Sequence, residues 1–172
     1  MSDSVWKAFE QNPLTHSAAH YLMTVHEIQD TNGYARVTDV AKALDISLPS
    51  CSQSLKNLEK KGWLTENEDK FFVLTDIGLA QVELVEKNKV VLLTFFRDIL
   101  GVSEERADVD SCKMEHLVSP ETSKKLCHFL QALQSDSPEA KAFLDSYEEV
   151  GVDNKGCYKP GVCAKSCPHA QK

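Results

Sequence analysis

Residues 37–75 hold two helix-period segments joined by a link too short for anything but a tight turn, and two β-type runs follow a closing glycine. Val37 to Leu44 has helical spacing, and Asp45-Ile46-Ser47-Leu48-Pro49 is long enough only to reverse the chain. Pro49 suits the opening position of the next helix, which runs from Ser50 until Gly62 closes it. Trp63-Leu64-Thr65 and Phe71 to Thr75 read as strands, with the polar link Glu66 to Lys70 as the turn. Ahead of this block, residues 15–30 place Ala18, Tyr21, Leu22, Val25 and Ile28 on one helical face. Thr15 or Ser17 is the expected N-cap of that helix, Asn32-Gly33 its stop, and Thr38 the expected cap of the second. Helix, helix, tight turn, helix and hairpin, in that order, make a winged helix-turn-helix.

The rest of the chain reads as helices over about Asp76–Leu100 (ended by Gly101), Glu104–Val118, Pro120–Gln134 and Pro138–Val150. From Gly151 onward, glycines, prolines and few apolar residues indicate an irregular tail. The expected fold is therefore mainly α with a small β-hairpin wing. A polar arm (1–13) precedes the winged helix-turn-helix (14–75), a helical metal-binding and dimerisation domain (76–150) and a Cys-rich tail (151–172).

The chain has no apolar run of membrane-spanning length, and residues 1–13 carry Asp3 and Glu10 where a secretory signal would be basic and then apolar. The expectation is a cytoplasmic protein. A net charge of −7 speaks against a general polyanion binder, but the charge is uneven. Between Arg36 and Lys61 five basic residues face three acidic ones, while Glu104 to Asp110 holds four acidic and one basic. The local field matters more than the total, and the basic excess falls where a DNA reader needs it. Neither a nucleophile–base pair, a phosphate loop nor a paired-carboxylate signature is present, so an enzyme is not expected.

The third helix needs one apolar face for packing, which Cys51, Leu55 and Leu58 supply at i, i+4 and i+7. Its other face must be small and polar near the N-terminal end. Ser47, Ser50, Ser52, Gln53 and Ser54 provide hydroxyls and an amide there, and the helix N-terminus favours phosphate. Gln53 suits a bidentate contact to adenine and Pro49 contact with a thymine methyl. Lys56, Lys60 and Lys61 lie where phosphates would pass, and Arg36 and Thr38 complete the expected double-stranded DNA contacts. The competing reading is a winged helix that docks a protein.

Cys112-Lys113-Met114-Glu115-His116 puts a thiol, a carboxylate and an imidazole at i, i+3 and i+4 on one helical face. A ligand from elsewhere would close a metal site, and His20 on the first helix is the candidate. Mixed sulfur, nitrogen and oxygen donors suit Fe²⁺, Zn²⁺, Co²⁺ or Ni²⁺ better than Mg²⁺ or Ca²⁺.

From Leu14 to about Leu133 the chain resembles the diphtheria-toxin-repressor and manganese-transport-regulator family of metal-dependent repressors. The residues that carry the resemblance are His20-Tyr21-Leu22, Tyr34 to Ala41, Pro49 to Gln53, Leu74-Thr75, Ile99 to Val102 and Cys112 to Ser119. It implies a helical dimerisation domain after the winged helix, a homodimer reading palindromic DNA, and a divalent metal that sets the spacing of two recognition helices. It also implies a Cys-x-x-Glu-His ligand set, completed in iron-selective members by a first-helix methionine. Manganese-selective members have acidic residues at the methionine and cysteine positions. This chain has His20 there and Met23 three residues on, and Lys89 and Leu93 where an ancillary His and Glu are expected. One mononuclear site is left, His20, Cys112, Glu115 and His116, with iron as the first expectation and zinc or cobalt as alternatives. The length matches the family's short form, which lacks a C-terminal barrel domain.

Cys157, Cys163 and Cys167 lie outside the resemblance. Three thiols threaded with glycine and proline could wrap a cluster or a second metal ion. That leaves two alternatives beside a metal-responsive regulator: an iron–sulfur or thiol redox-sensing regulator, and a redox protein whose winged helix docks a protein.

Overall fold

The computed structural model describes residues 14–150. The expected N-terminal arm and the tail with Cys157, Cys163 and Cys167 lie outside the described residues. What is described is mainly helical, with a two-stranded antiparallel wing.

Helix α1 (His16–Asn32) starts at Thr15, whose side chain accepts from the Ala18 N–H, and stops at Gly33 in the left-handed region with φ 79°. Helix α2 (Val37–Ala43) follows, then α3 (Leu48–Lys60). Ser47 caps α3 by accepting from the Ser50 N–H, and Pro49 sits in its first turn, where no helical N–H is needed. Thr38 does not cap α2. The boundary residue is Arg36, extended at φ −99° and ψ 154°, which leaves Thr38 inside the first turn with no orphan N–H ahead of it.

Strands β1 (Leu64–Glu66) and β2 (Phe72–Leu74) pair antiparallel, with Leu64 opposite Leu74, Thr65 opposite Val73 and Glu66 opposite Phe72. Asn67 builds the turn: its backbone exchanges bonds with Phe71 and Lys70, and its side chain accepts from the Phe71 N–H. Ala35 adds a bridge to Phe72. Phe72, Leu22, Val25, Val40, Cys51, Leu55 and Leu64 form one buried core with Val82 and Val85 of helix α4 (Asp76–Thr94). Fully burying each large apolar side chain contributes about 1.5–3 kcal/mol.

Residues 76–100, expected as one continuous helix, change winding near the end. Phe95–Ile99 form a π-helical turn in which the Leu100 N–H donates to the Phe95 carbonyl and the Val102 N–H to Phe96. The apolar spacing through Phe95, Phe96 and Ile99 suits either winding, so periodicity could not separate them. Helix α5 (Glu104–Met114) is shorter than expected. Pro120 opens α6 (Pro120–Leu133), and a residue before proline disfavours helical geometry, so the chain turns at 115–119. Helix α7 is Pro138–Val150. Of the described residues, those up to Cys127 belong to one compact unit and those from His128 to a second, in which Leu130, Leu133 and Ala140 are buried. Among the described residues no helix is long and apolar enough to cross a membrane.

The wing is tied to α4 at Gly78. The Thr75 hydroxyl donates to the Gly62 carbonyl and accepts from the Gly78 N–H, while the Thr75 N–H donates to the Trp63 carbonyl. A Cβ on Gly78 would sit 2.0 Å from the Trp63 carbonyl oxygen, a backbone atom that cannot step aside. Gly78→Ala should therefore destabilise the protein by about 1–3 kcal/mol, as overpacking does; urea denaturation checks this, and unchanged stability would contradict the close approach.

Candidate metal centre and nucleic-acid face

Helix α1 turns Ala18, Ala19, Tyr21, Leu22 and Val25 inward, which leaves His16 and His20 one turn apart on another face. Helix α5 brings Cys112 to them. The Cys112 Sγ lies 3.4 Å from His20 Nε2 and 3.5 Å from His16 Nε2, and the two Nε2 atoms are 3.1 Å apart. These three ligand atoms lie within 4.8 Å of one another. His116 brings its ring edge-on to His16, with centroids 5.3 Å apart.

Glu115 is 1% exposed, and its Oε2 has no hydrogen-bond partner among the described residues. A buried carboxylate with an unused oxygen is a costly arrangement unless a proton or a cation meets it. Burial pushes the Glu115 carboxyl up to about 7; Lys89 opposes that rise and Asp108 adds to it. Burial lowers the His20 imidazole, and His16 and Lys89 lower it further. His116 is lowered by burial, then by His16 and His20. Both imidazoles are thus held toward the neutral form that binds metals. Burial also raises the Cys112 thiol, with Glu115 adding to the rise and Lys89 opposing it.

Asn88 holds the turn that carries two of these groups. It is buried on α4 and donates both amide hydrogens, to the Glu115 carbonyl at 2.6 Å and the Val118 carbonyl at 2.9 Å. These bonds satisfy carbonyls left open where α5 ends. Glu115 consequently keeps helical backbone angles as the C-cap, while His116 lies in the turn beyond, not on the continuous helix expected through Val118. Lys89, the next residue on α4, pairs with Asp108 at 3.1 Å. Burial works against the Lys89 charge, but Asp108, Glu115 and Cys112 outweigh it and raise its pKa.

Of the four ligands expected from the sequence, His20 and Cys112 stand side by side, His116 adjoins through His16, and Glu115 is the buried carboxylate. His16 is the residue that sequence reasoning passed over. The signal was present as His16-x-x-x-His20, two imidazoles one helical turn apart.

On the winged helix, Ser47, Pro49, Ser50, Gln53 and Lys60 are exposed along one side of α3, with Ser52 half-buried beside them. The Ser47 hydroxyl is engaged as the helix cap, and the Gln53 amide donates to Asn57 at 3.1 Å. Lys56 is bound within the protein, paired with Glu59 and with Glu66 of the wing. Thr38 is exposed. Arg36, also exposed, stands 5.0 Å from the centroids of both Tyr34 and Phe71, which stack on each other.

Residues 13–70 match the description "Iron dependent repressor, N-terminal DNA binding domain", and residues 75–143 match "Iron dependent repressor, metal binding and dimerisation domain". The chain belongs to the iron-dependent repressor family. Those matched regions include all the residues of the His–Cys cluster. This family member is 25% identical over 142 residues to the diphtheria toxin repressor of Corynebacterium diphtheriae, covering 83% of its own length and 62% of that protein's. It is 28% identical over 131 residues to the HTH-type transcriptional regulator MntR of Geobacillus kaustophilus, covering 76% of this chain and 92% of that one. Among solved structures, the hypothetical protein SSo2273 from Sulfolobus solfataricus shares the fold at a TM-score of 0.60 and 23% identity, over 74% of this chain and 96% of that one. The family is one of transcriptional repressors, not enzymes. The tail cysteines lie beyond residue 143, where the matched region ends, and a cluster there draws no support from the comparisons.

In the metal-free protein Glu115 keeps its proton up to about pH 7, whereas the unfolded chain releases it near the ordinary 4.5. The folded state then binds more protons between those values, so this group's contribution to stability falls as pH rises through that window. With a chelator present, Glu115→Gln should gain on the wild type as pH rises from about 5 to about 8. Urea denaturation across that range reads the difference directly, and a constant difference would contradict a buried, unpartnered carboxyl.

Proposed function

We infer that this family member is a homodimeric, metal-dependent repressor that reads a palindromic operator in double-stranded DNA. The observation carrying this reading is the convergence of His20 and Cys112, 3.4 Å apart although 92 residues separate them in sequence. His20 belongs to the helix that packs under the recognition helix, and Cys112 to the segment matched as metal binding and dimerisation. One ion held by both would couple the position of α3 to the rest of the chain.

Ligand binding alters DNA affinity only if it favours one arrangement of two recognition helices over another. Helices about one DNA turn (~34 Å) apart would read the two half-sites. The exposed Ser50, Gln53 and Pro49 supply base-edge contacts in this reading, with Ser52 beside them. Arg36, Thr38, Lys60 and the α3 N-terminus at Ser47 supply backbone contacts. Lys56 acts by bracing the wing against α3, and would meet phosphate only by exchanging its carboxylate partners. Val109, Met114 and Leu117 are large apolar side chains left exposed in the region matched as dimerising, which supports a second copy as partner.

The residues fit a divalent transition ion. His20, Cys112, Glu115 and His116 are the ligand set of this reading, and when bound the ion supplies a fixed link between two protein segments. The donor types suit iron, zinc or cobalt, iron being the metal of the family description, and disfavour manganese. Lys89 stands where the resemblance expects an ancillary ligand and is paired with Asp108, which supports one ion per chain.

DNA recovered by in vitro selection provides the test. Metal should tighten binding, a chelator should release it, and affinity should fall steeply with added salt. Cys112→Ala should remove the metal response while circular dichroism shows the fold intact. A Cys112→Ala protein that still answers normally to metal would overturn the site, and binding insensitive to salt would favour a winged helix that docks protein.

A further inference from the structure

Resting on the reading of this junction as a metal centre, the geometry points to His16 as a ligand as well. The proposal is that His16, His20 and Cys112 form one triangular face of a four-coordinate site whose fourth donor is the Glu115 carboxylate, so that His16 replaces His116, whose ring lies edge-on to it, among the four ligands. Such a site takes an ion content with tetrahedral imidazole–thiolate coordination, zinc or cobalt(II) ahead of octahedral manganese.

The distances between donor atoms carry the argument. Zinc–nitrogen bonds of about 2.05 Å and zinc–sulfur bonds of about 2.3 Å at tetrahedral angles put two nitrogens about 3.3 Å apart and nitrogen and sulfur about 3.6 Å apart. In this protein the nitrogen pair is at 3.1 Å and the nitrogen–sulfur pairs at 3.4 and 3.5 Å. A hydrogen-bonded trio could show similar spacing, but it would leave the buried Glu115 beside it with an oxygen that nothing in the described residues satisfies. Lys89, whose charge acts on Glu115, is already committed to Asp108. A divalent ion beside a Cys112 thiolate and the Glu115 carboxylate balances both charges and leaves the Lys89–Asp108 pair neutral.

Helix α1 makes this face available without strain. The i, i+4 spacing sets His16 and His20 on the same side, and Thr15 caps the helix just before His16 so that its first turn is formed. His16 is exposed, so replacing it removes a donor without opening the core.

Affinity order alone would not discriminate, because zinc outcompetes iron and manganese at most nitrogen and sulfur sites. Cobalt(II) reports the geometry. Metal-free full-length protein titrated with Co²⁺ should show a thiolate-to-cobalt charge-transfer band, together with the intense visible d–d bands of a tetrahedral ion. His16→Ala should keep the charge-transfer band, lose most of the d–d intensity, and bind Co²⁺ at least about tenfold more weakly. His16→Cys should restore the intense d–d bands and strengthen the charge-transfer band through a second thiolate. If His16→Ala gives the wild-type spectrum and affinity, His16 is not a ligand and the metal centre stands without it. If the wild type itself shows no thiolate charge transfer, the metal reading of the junction fails, and this inference with it.

Discussion

Leu22 and Val25, both fully buried, bind α1 into the core formed with Leu55 of α3 and Phe72 of the wing. The same helix carries His16 and His20 toward α5. One rigid rod therefore serves two surfaces at once, because a helix presents residues on different faces at fixed angular offsets. A displacement of the histidines is also a displacement of what packs beneath the recognition helix. The winged helix and the candidate metal centre are mechanically one object, and this rests on apolar burial worth several kcal/mol more than any polar contact at the site.

Around that rod, polar groups do the positioning. Asn88 replaces the missing helical donors at the end of α5 and so sets where Glu115 and His116 lie. Thr75 and Gly78 close the wing onto α4. Lys56 joins α3 to β1 through Glu59 and Glu66, so the recognition helix and the wing meet DNA as one piece. Arg36 is held beside two stacked aromatic rings, which would reduce the entropy lost in the phosphate contact proposed for it.

The winged helix was legible because period 3.6, a five-residue reversal and a closing glycine leave few alternatives, and because Cys51, Leu55 and Leu58 share a face under any helical register. Cys112 was legible from its i, i+3, i+4 spacing with Glu115 and His116, and the resemblance strengthened His20 as its partner. His16 was not legible, since a search that starts from a four-ligand pattern has no vacancy for another imidazole. The partners of Lys56 were hidden because Glu66 reaches it only once the hairpin has formed. Asn88 gave no signal at all: its role depends on α5 ending at Met114, and that in turn depends on the turn before Pro120. The π-helical turn at 95–99 is the remaining case, where apolar spacing fits two windings equally.

The Lys89–Asp108 pair has a consequence for how the site responds to supply. An ammonium tethered by its own side chain has no dissociation constant, so its charge is present at every concentration of metal outside. Whatever ion joins His20 and Cys112 then enters a flank whose electrostatics are already set. With the single ion proposed for each chain, occupancy would follow a simple one-site curve over about two decades of concentration, without the threshold that filling two interdependent sites would create. Any sharper response must come from the second chain or from the DNA.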